Sequence, residues 1–344
     1  MQTQKFVQDL KDDMQYKKRY KYQVPFENSE YYKTLTQVIE TSLEDESLIP
    51  VYFDFFKDMF AFHCEYSAFV YTELDNEEEA LKHLEIALGY GKVLLQEAPK
   101  TCGCFKGENP FIVSNKATFM TSLFLLAGEN ESFEASAKTL IDSLHGKNCI
   151  IKKGYNKATI SWFVLRLLSQ YTKEEIKLHK LLQPTLNENY EKVLKKWDSR
   201  DTKEISILLD TLCEMHLAQA IKDLADANEH AEEDIMNLRY RELFLPLMYS
   251  FPYEILVWLK LREKAGLKNP KTFTHPLMNT PIAKMFLDIK EPLPKPTELP
   301  YAKELLEKLK EKCPSVEVPA WLDANTEKVN EAKSNDIIPD NFLK

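Results

Sequence analysis

Glycine is scarce in this chain, with eight residues in 344, about 2% against a usual ~7%. Folds that lean on glycine turns, such as nucleotide-binding α/β sheets and β-sandwiches, are therefore disfavoured. No G-x-G-x-x-G or G-x-x-x-x-G-K-[ST] occurs, so the backbone cradle for a nucleotide phosphate is missing. G-x-S-x-G and H-E-x-x-H are missing too, which removes the commonest serine-hydrolase and zinc-protease patterns. The longest apolar run, around residues 117–127, falls short of the ~20 residues a spanning helix needs. Met1–Leu10 shows no basic segment followed by an apolar core, so no signal peptide is expected. A basic excess is lacking as well: 54 acids stand against 45 bases, a net charge of −9, whereas nucleic-acid binders usually carry a basic stripe. These absences lead to the expectation of a cytoplasmic protein without membrane or nucleic-acid partners. The six cysteines (Cys64, Cys102, Cys104, Cys149, Cys213, Cys313) lack disulfide-framework spacing and are expected to be reduced thiols.

What is present points to helices. Hydrophobic residues make up 44% and charged residues 29%, and a chain of this length buries roughly three quarters of its unfolded surface. Five of the 17 prolines fall in residues 1–245 and twelve in 246–344, so long helices are expected early and a broken chain late. Val51–Leu74 carries Phe55, Met59, Phe62, Tyr66, Phe69 and Val70 at helical spacing. Asp75-Asn76 supplies a turn and cap, and Glu77-Glu78-Glu79 favours the start of the next helix, to about Gln96. The two make an antiparallel hairpin. The pattern recurs in Ser114–Ala127 with Phe133–Leu144. It recurs again in Lys157–Gln170, with Thr172–Glu175 opening a next helix as a capping box. Pro184–Trp197, residues 202–229, 231–245, Pro252–Ala265, Pro276–Leu287 and Tyr301–Lys312 read as further helices. Repeats of roughly 35–45 residues fit a stack of hairpins in which neighbours bury each other's apolar faces. The expected fold is all-α, an irregular stack of antiparallel helix hairpins of α-solenoid or tetratricopeptide-like kind. Residues 1–50 are expected to form a helical, aromatic N-terminal segment with a helix over Glu30–Leu43, 51–290 the helical array, and 291–344 a Pro-rich connector, short helix and tail.

Candidate chemistry is sparse. Asp142-Ser-Leu-His145 is a lone relative of the E-x-x-H pattern, which a di-iron bundle needs twice. Cys102-Gly-Cys104 could chelate a soft metal, but no second Cys/His pair of matching spacing follows. Cys213 and His216 share one helix face, compatible with a metal or a Cys/His nucleophile pair. In each case a structural thiol or imidazole is the simpler reading, so no catalytic residue, metal or cofactor is expected. The strongest charge feature runs from Glu204 to Asp234, nine acids against Lys222 alone, while its apolar positions Ile207, Leu208, Leu212, Leu217, Ile221 and Leu224 occupy another face, expected to pack. Its dense end (Asp223, Asp226, Glu229, Glu232, Glu233, Asp234) is expected to dock a basic partner, where complementary charge raises on-rate and specificity.

Phe244–Met285 holds a proline-started helix with Glu254-Ile255-Leu256, a Gly266-Leu267 stop and His275-Pro276-Leu277. With the preceding acidic helix and the upstream Ala/Leu helix pairs, this region resembles the immunity protein 49 family of bacterial polymorphic toxin systems, over roughly residues 75–287. The resemblance implies a non-enzymatic inhibitor, monomeric or homodimeric, that binds a cognate toxin and blocks it. Were the toxin a basic nuclease, the acidic run would occupy the groove meant for phosphate. Pro252, Glu254, Gly266, His275 and Pro276 match the pattern and are assigned to maintaining the fold. The alternative is a tetratricopeptide-like adaptor that binds an extended peptide.

Overall fold

A computed structural model describes residues 52–104, 114–148, 159–176, 185–229, 242–294 and 299–322, with 33, 37, 39–40, 112 and 296 besides. The fold is all-α, and no strand occurs among the described residues. Among the described residues, ten α-helices are followed from end to end: α1 (Tyr52–Glu73), α2 (Glu77–Gln96), α3 (Ser114–Leu126), α4 (Asn130–Leu144), α5 (Thr159–Thr172), α6 (Glu188–Lys195), α7 (Thr202–Glu229), α8 (Tyr253–Lys264), α9 (Pro281–Asp288) and α10 (Ala302–Lys312). None is long and apolar enough to cross a membrane.

The first two expected hairpins form as α1/α2 and α3/α4, and their turns follow from local chemistry. Asn76 caps α2, its side chain accepting from the Glu79 N–H at 3.1 Å. Gly128, at φ +77, turns the chain between α3 and α4. Gly91 lets α2 lie close to Phe60 of α1, whose ring would come within 3.3 Å of an added Cβ. The aromatic spacing of residues 52–71 lies in the core: Phe55, Phe56, Met59 and Phe60 are buried.

Three boundaries differ from expectation. Thr172 ends α5 instead of opening a helix. Its hydroxyl donates to the Leu168 carbonyl at 2.9 Å, and Lys173 adopts φ +64, which stops the helix. Pro184 lies outside the described residues, and α6 starts later, capped by Asn187. Residues 242–245 are not helical, so the expected helix over 231–245 does not reach its end; 231–241 fall outside the described residues.

The stack does not simply extend. In a solenoid each repeat touches only its neighbours, yet α8 packs against α3 and α5 from far upstream as well as α7 and α9. That explains its sequence: Tyr253 through Leu259, Leu261 and Arg262 are all buried. The Pro-rich segment then returns across the first hairpins. The Leu293 N–H donates to the Ala127 carbonyl at 3.3 Å, and the Tyr90 hydroxyl donates to the Pro300 carbonyl at 2.8 Å.

The thiol expectation needs correction. Cys104 is bonded to Cys313, with Cα atoms 5.7 Å apart across 209 residues, and Cys102 is disulfide-bonded too. Cys64 and Cys213 are buried free thiols, and Cys149 lies outside the described residues. Sequence spacing carried no trace of the pair because the return of the C-terminal segment brings it together.

Candidate binding groove and the polar network behind it

The residues carrying the family resemblance converge on α8. Pro252 takes the N-cap position, and Gly266 at φ +72 ends the helix, the Leu267 N–H donating to the Arg262 carbonyl at 2.9 Å. His275 caps the 3₁₀ turn Pro276–Asn279: its Nδ1 accepts from the Leu277 N–H at 3.2 Å. That fixes the ring proton on Nε2, which lies 3.2 Å from Glu214 of α7. Thr274 donates to Asp210 of the same helix at 3.1 Å.

Glu254 is not a solvated dipole partner. It is 1% exposed, and its Oε1 accepts from His216 Nδ1 at 2.8 Å. Nε2 of His216 lies 2.9 Å from the Met248 carbonyl. Both ring nitrogens therefore lie within hydrogen-bond distance of oxygens, an arrangement that favours the imidazolium. Burial opposes that charge, but the Glu254 carboxylate and the backbone carbonyl outweigh it and raise the pKa of His216. The Oε2 atom of Glu254 is buried without a hydrogen-bond partner. Burial, with the Glu254 charge, pushes the Cys213 thiol well up. A thiolate is the reactive form of cysteine, and burial works against it at Cys213. Asp142, likewise, forms ion pairs with Lys138 at 3.1 Å and Lys147 at 2.8 Å. No group of three or more metal-ligating side chains occurs among the described residues.

Arg262, which sequence reasoning passed over, is fully buried. Its guanidinium donates to the carbonyls of Trp197 (2.6 Å), Ser199 (2.8 Å) and Lys268 (2.8 Å), and to Asn269 Oδ1 at 3.0 Å. It lies 5.8 Å from the Trp258 ring centroid. One planar fork thus joins the α6–α7 turn to the chain after α8. Glu242 was also missed. It accepts from the backbone N–H groups of Thr159 and, at 2.9 Å, Ile160, satisfying two donors at the start of α5. Burial raises its pKa to about 7 against the pull of those N–H groups. His63 and His83, on α1 and α2, meet through their Nδ1 atoms at 2.8 Å, and burial followed by the His83 neighbour lowers the pKa of His63.

In front of this network, between the end of α8, the following loop and α9, lies an open groove of about 610 Å³. Leu259, Phe273, Met278 and Leu287 give it apolar lining, and Lys271, Lys284 and Lys290 oppose Glu263 and Asp288 around it. Arg262 holds the Lys268–Asn269 stretch that leads into its wall.

The described part of the acidic run divides between the interior and the surface. Asp223 is buried, accepting from the Leu243 N–H at 2.9 Å and from Gln219 at 3.0 Å. Asp226 is half-buried, Glu229 is the last residue of α7, and Glu232, Glu233 and Asp234 lie outside the described residues. The exposed side of α7 carries Ile207, Glu214, Ala218, Ile221, Lys222 and Ala225. Ile207 and Ile221, expected on the packed face, are 68% and 48% exposed. Compared with protein-family models, curated proteins and solved structures, the chain matches none.

Proposed function

We propose that the chain is a non-catalytic binding protein that neutralises a cognate protein toxin, as its resemblance to the immunity protein 49 family implies. The observation that carries the reading is the use of its candidate chemical groups. His216, Glu254, Cys213 and His275 serve as internal struts and caps, so what remains to meet a partner is surface. The groove beside the Gly266 and His275-Pro276 corners offers such a surface, where charged and polar side chains surround Phe273 and Leu287. Binding there occludes the toxin sterically and asks nothing of the inhibitor's own chemistry.

Co-expression with the protein encoded immediately upstream tests the reading, scored by growth and then by co-purification. Rescue of a toxic neighbour in a stable complex is the expected result. A harmless neighbour with nothing co-purified refutes it. Two charge reversals then locate the contact: Lys271→Glu with Lys284→Glu in the groove, and Lys substitutions at Glu229, Glu232, Glu233 and Asp234 in the acidic run. Loss of affinity in the first set alone assigns the groove; loss in the second alone assigns the run.

A further inference from the structure

We propose that the Cys104–Cys313 bond is a thiol-exchange site, opened by a dithiol, whose cleavage unlatches the C-terminal strap from α2. The strap is described at residues 292–294, 296 and 299–322, and its seating there is specific. At Gly128 an added Cβ would come within 3.2 Å of the Pro292 backbone, and at Gly89 within 2.9 Å of Pro296 and 3.0 Å of Leu299. Farther on, the Ser315 hydroxyl donates to the Lys100 carbonyl at 2.8 Å. The Glu317 N–H donates to Glu97 at 2.9 Å, and Lys100 bridges both carboxylates at 3.0 Å. Most of these later contacts are polar and near the surface, where single ion pairs contribute little. Ala302, Leu305, Leu306, Leu309 and Val316 seat α10 in the core, and the covalent bond, closing 209 residues, adds to that seating by removing open states of the chain.

The two sulfurs differ in access. Cys104 is exposed in the turn after Thr101, beside Gly103, around which nothing lies within 4 Å of an added Cβ. Cys313 is fully buried at the C-terminal end of α10, its N–H donating to the Leu309 carbonyl at 2.8 Å. An incoming thiolate accordingly attacks Sγ of Cys104. The Sγ–Sγ bond breaks, its electron pair leaves on Sγ of Cys313, and that sulfur takes a proton from water. The second thiolate of the reagent attacks the reagent sulfur in the mixed disulfide, closes a cyclic disulfide and releases Cys104, which is protonated in turn. The protein gains two electrons and two protons, and the dithiol is oxidised.

The test uses the full chain with dithiothreitol as the dithiol, iodoacetamide to count thiols, and trypsin to read the strap through Lys303, Lys308, Lys310 and Lys312. Without reductant neither Cys104 nor Cys313 is expected to alkylate. With reductant both do, and cleavage within α10 accelerates about tenfold as the opened population rises. Limiting glutathione is expected to leave its adduct on Cys104 and none on Cys313. Cys313→Ser should cleave at the fast rate with or without reductant, which separates this bond from that of Cys102. Cys104→Ser, at an exposed position, gives the same reading should the buried variant fail to fold. Alkylation of Cys104 before reduction, adducts on Cys313, or equal cleavage rates in all forms would overturn the proposal.

Discussion

Replacing Arg262 by Met removes the fork that joins two turns to α8 while keeping most of its volume. The guanidinium makes four hydrogen bonds, three to backbone carbonyls. Hydrogen bonds to a charged group contribute about 1.5–3 kcal/mol each, but burying the charge costs several kcal/mol in return. Methionine also leaves three carbonyls without their donor, at about 1 kcal/mol or more apiece. The net expectation is a loss of about 3 kcal/mol. At about 2.1 cal/mol/K per residue, the 344-residue chain has an unfolding entropy of about 0.7 kcal/mol/K, so Tm falls by about 4 °C. Arg262→Lys should recover only part of this, because one ammonium cannot span acceptors arranged for a planar fork. Calorimetry and denaturant titration read both variants. A Met variant within 0.5 kcal/mol of the parent, or a Lys variant equal to it, would show that Trp197, Ser199 and Lys268 find other donors and that the fork organises nothing.

Other perturbations read other parts of the fold. Glu254→Gln removes one partner of a buried ion pair and should cost about 3–5 kcal/mol. The pKa of His216 is raised in the fold, so the stability it lends is complete below its ordinary value and is lost as pH rises through the raised one. The cost of Glu254→Gln in denaturant melts should therefore be greatest in acid and shrink with rising pH; a cost independent of pH refutes the imidazolium. Glu242, raised to about 7, binds its proton in the folded state across a window where the unfolded carboxyl has lost it. Stability should decline as pH rises from about 4.5 to about 7, and Glu242→Gln should flatten that part of the profile. Gly128→Ala meets both a left-handed φ and the Pro292 backbone, whereas Gly146→Ala meets the left-handed φ alone. Both should lose about 1–2 kcal/mol, and the excess at Gly128 measures the strap contact; equal losses would mean that the strap yields there freely.

The first two hairpins were legible because their causes are local. The aromatic spacing of α1, the Asn76 cap and the Gly128 turn act within a few residues. The Gly266 stop and the His275-Pro276 turn were legible for the same reason. Boundaries failed where two local readings competed. Thr172 with Glu175 spells a capping box, yet Thr172 bonds back to Leu168 and closes the previous helix.

Long-range partners left no such trace. Periodicity placed Ile207 and Ile221 among the buried positions of α7, but a 28-residue helix touches different neighbours along its length, and both emerge exposed. Asp223 sat in an acidic run, and only the approach of Leu243 shows it to be an internal acceptor. Composition, scarce glycine and helical periodicity determined by themselves that the chain is all-α and built of paired helices, since those depend on residues one or two turns apart. The placement of α8 among helices from far upstream, the Arg262 fork, the Glu254–His216 pair and the Cys104–Cys313 bond were decided only by tertiary structure. Each joins groups tens to hundreds of residues apart, and no spacing along the chain encodes which of them meet.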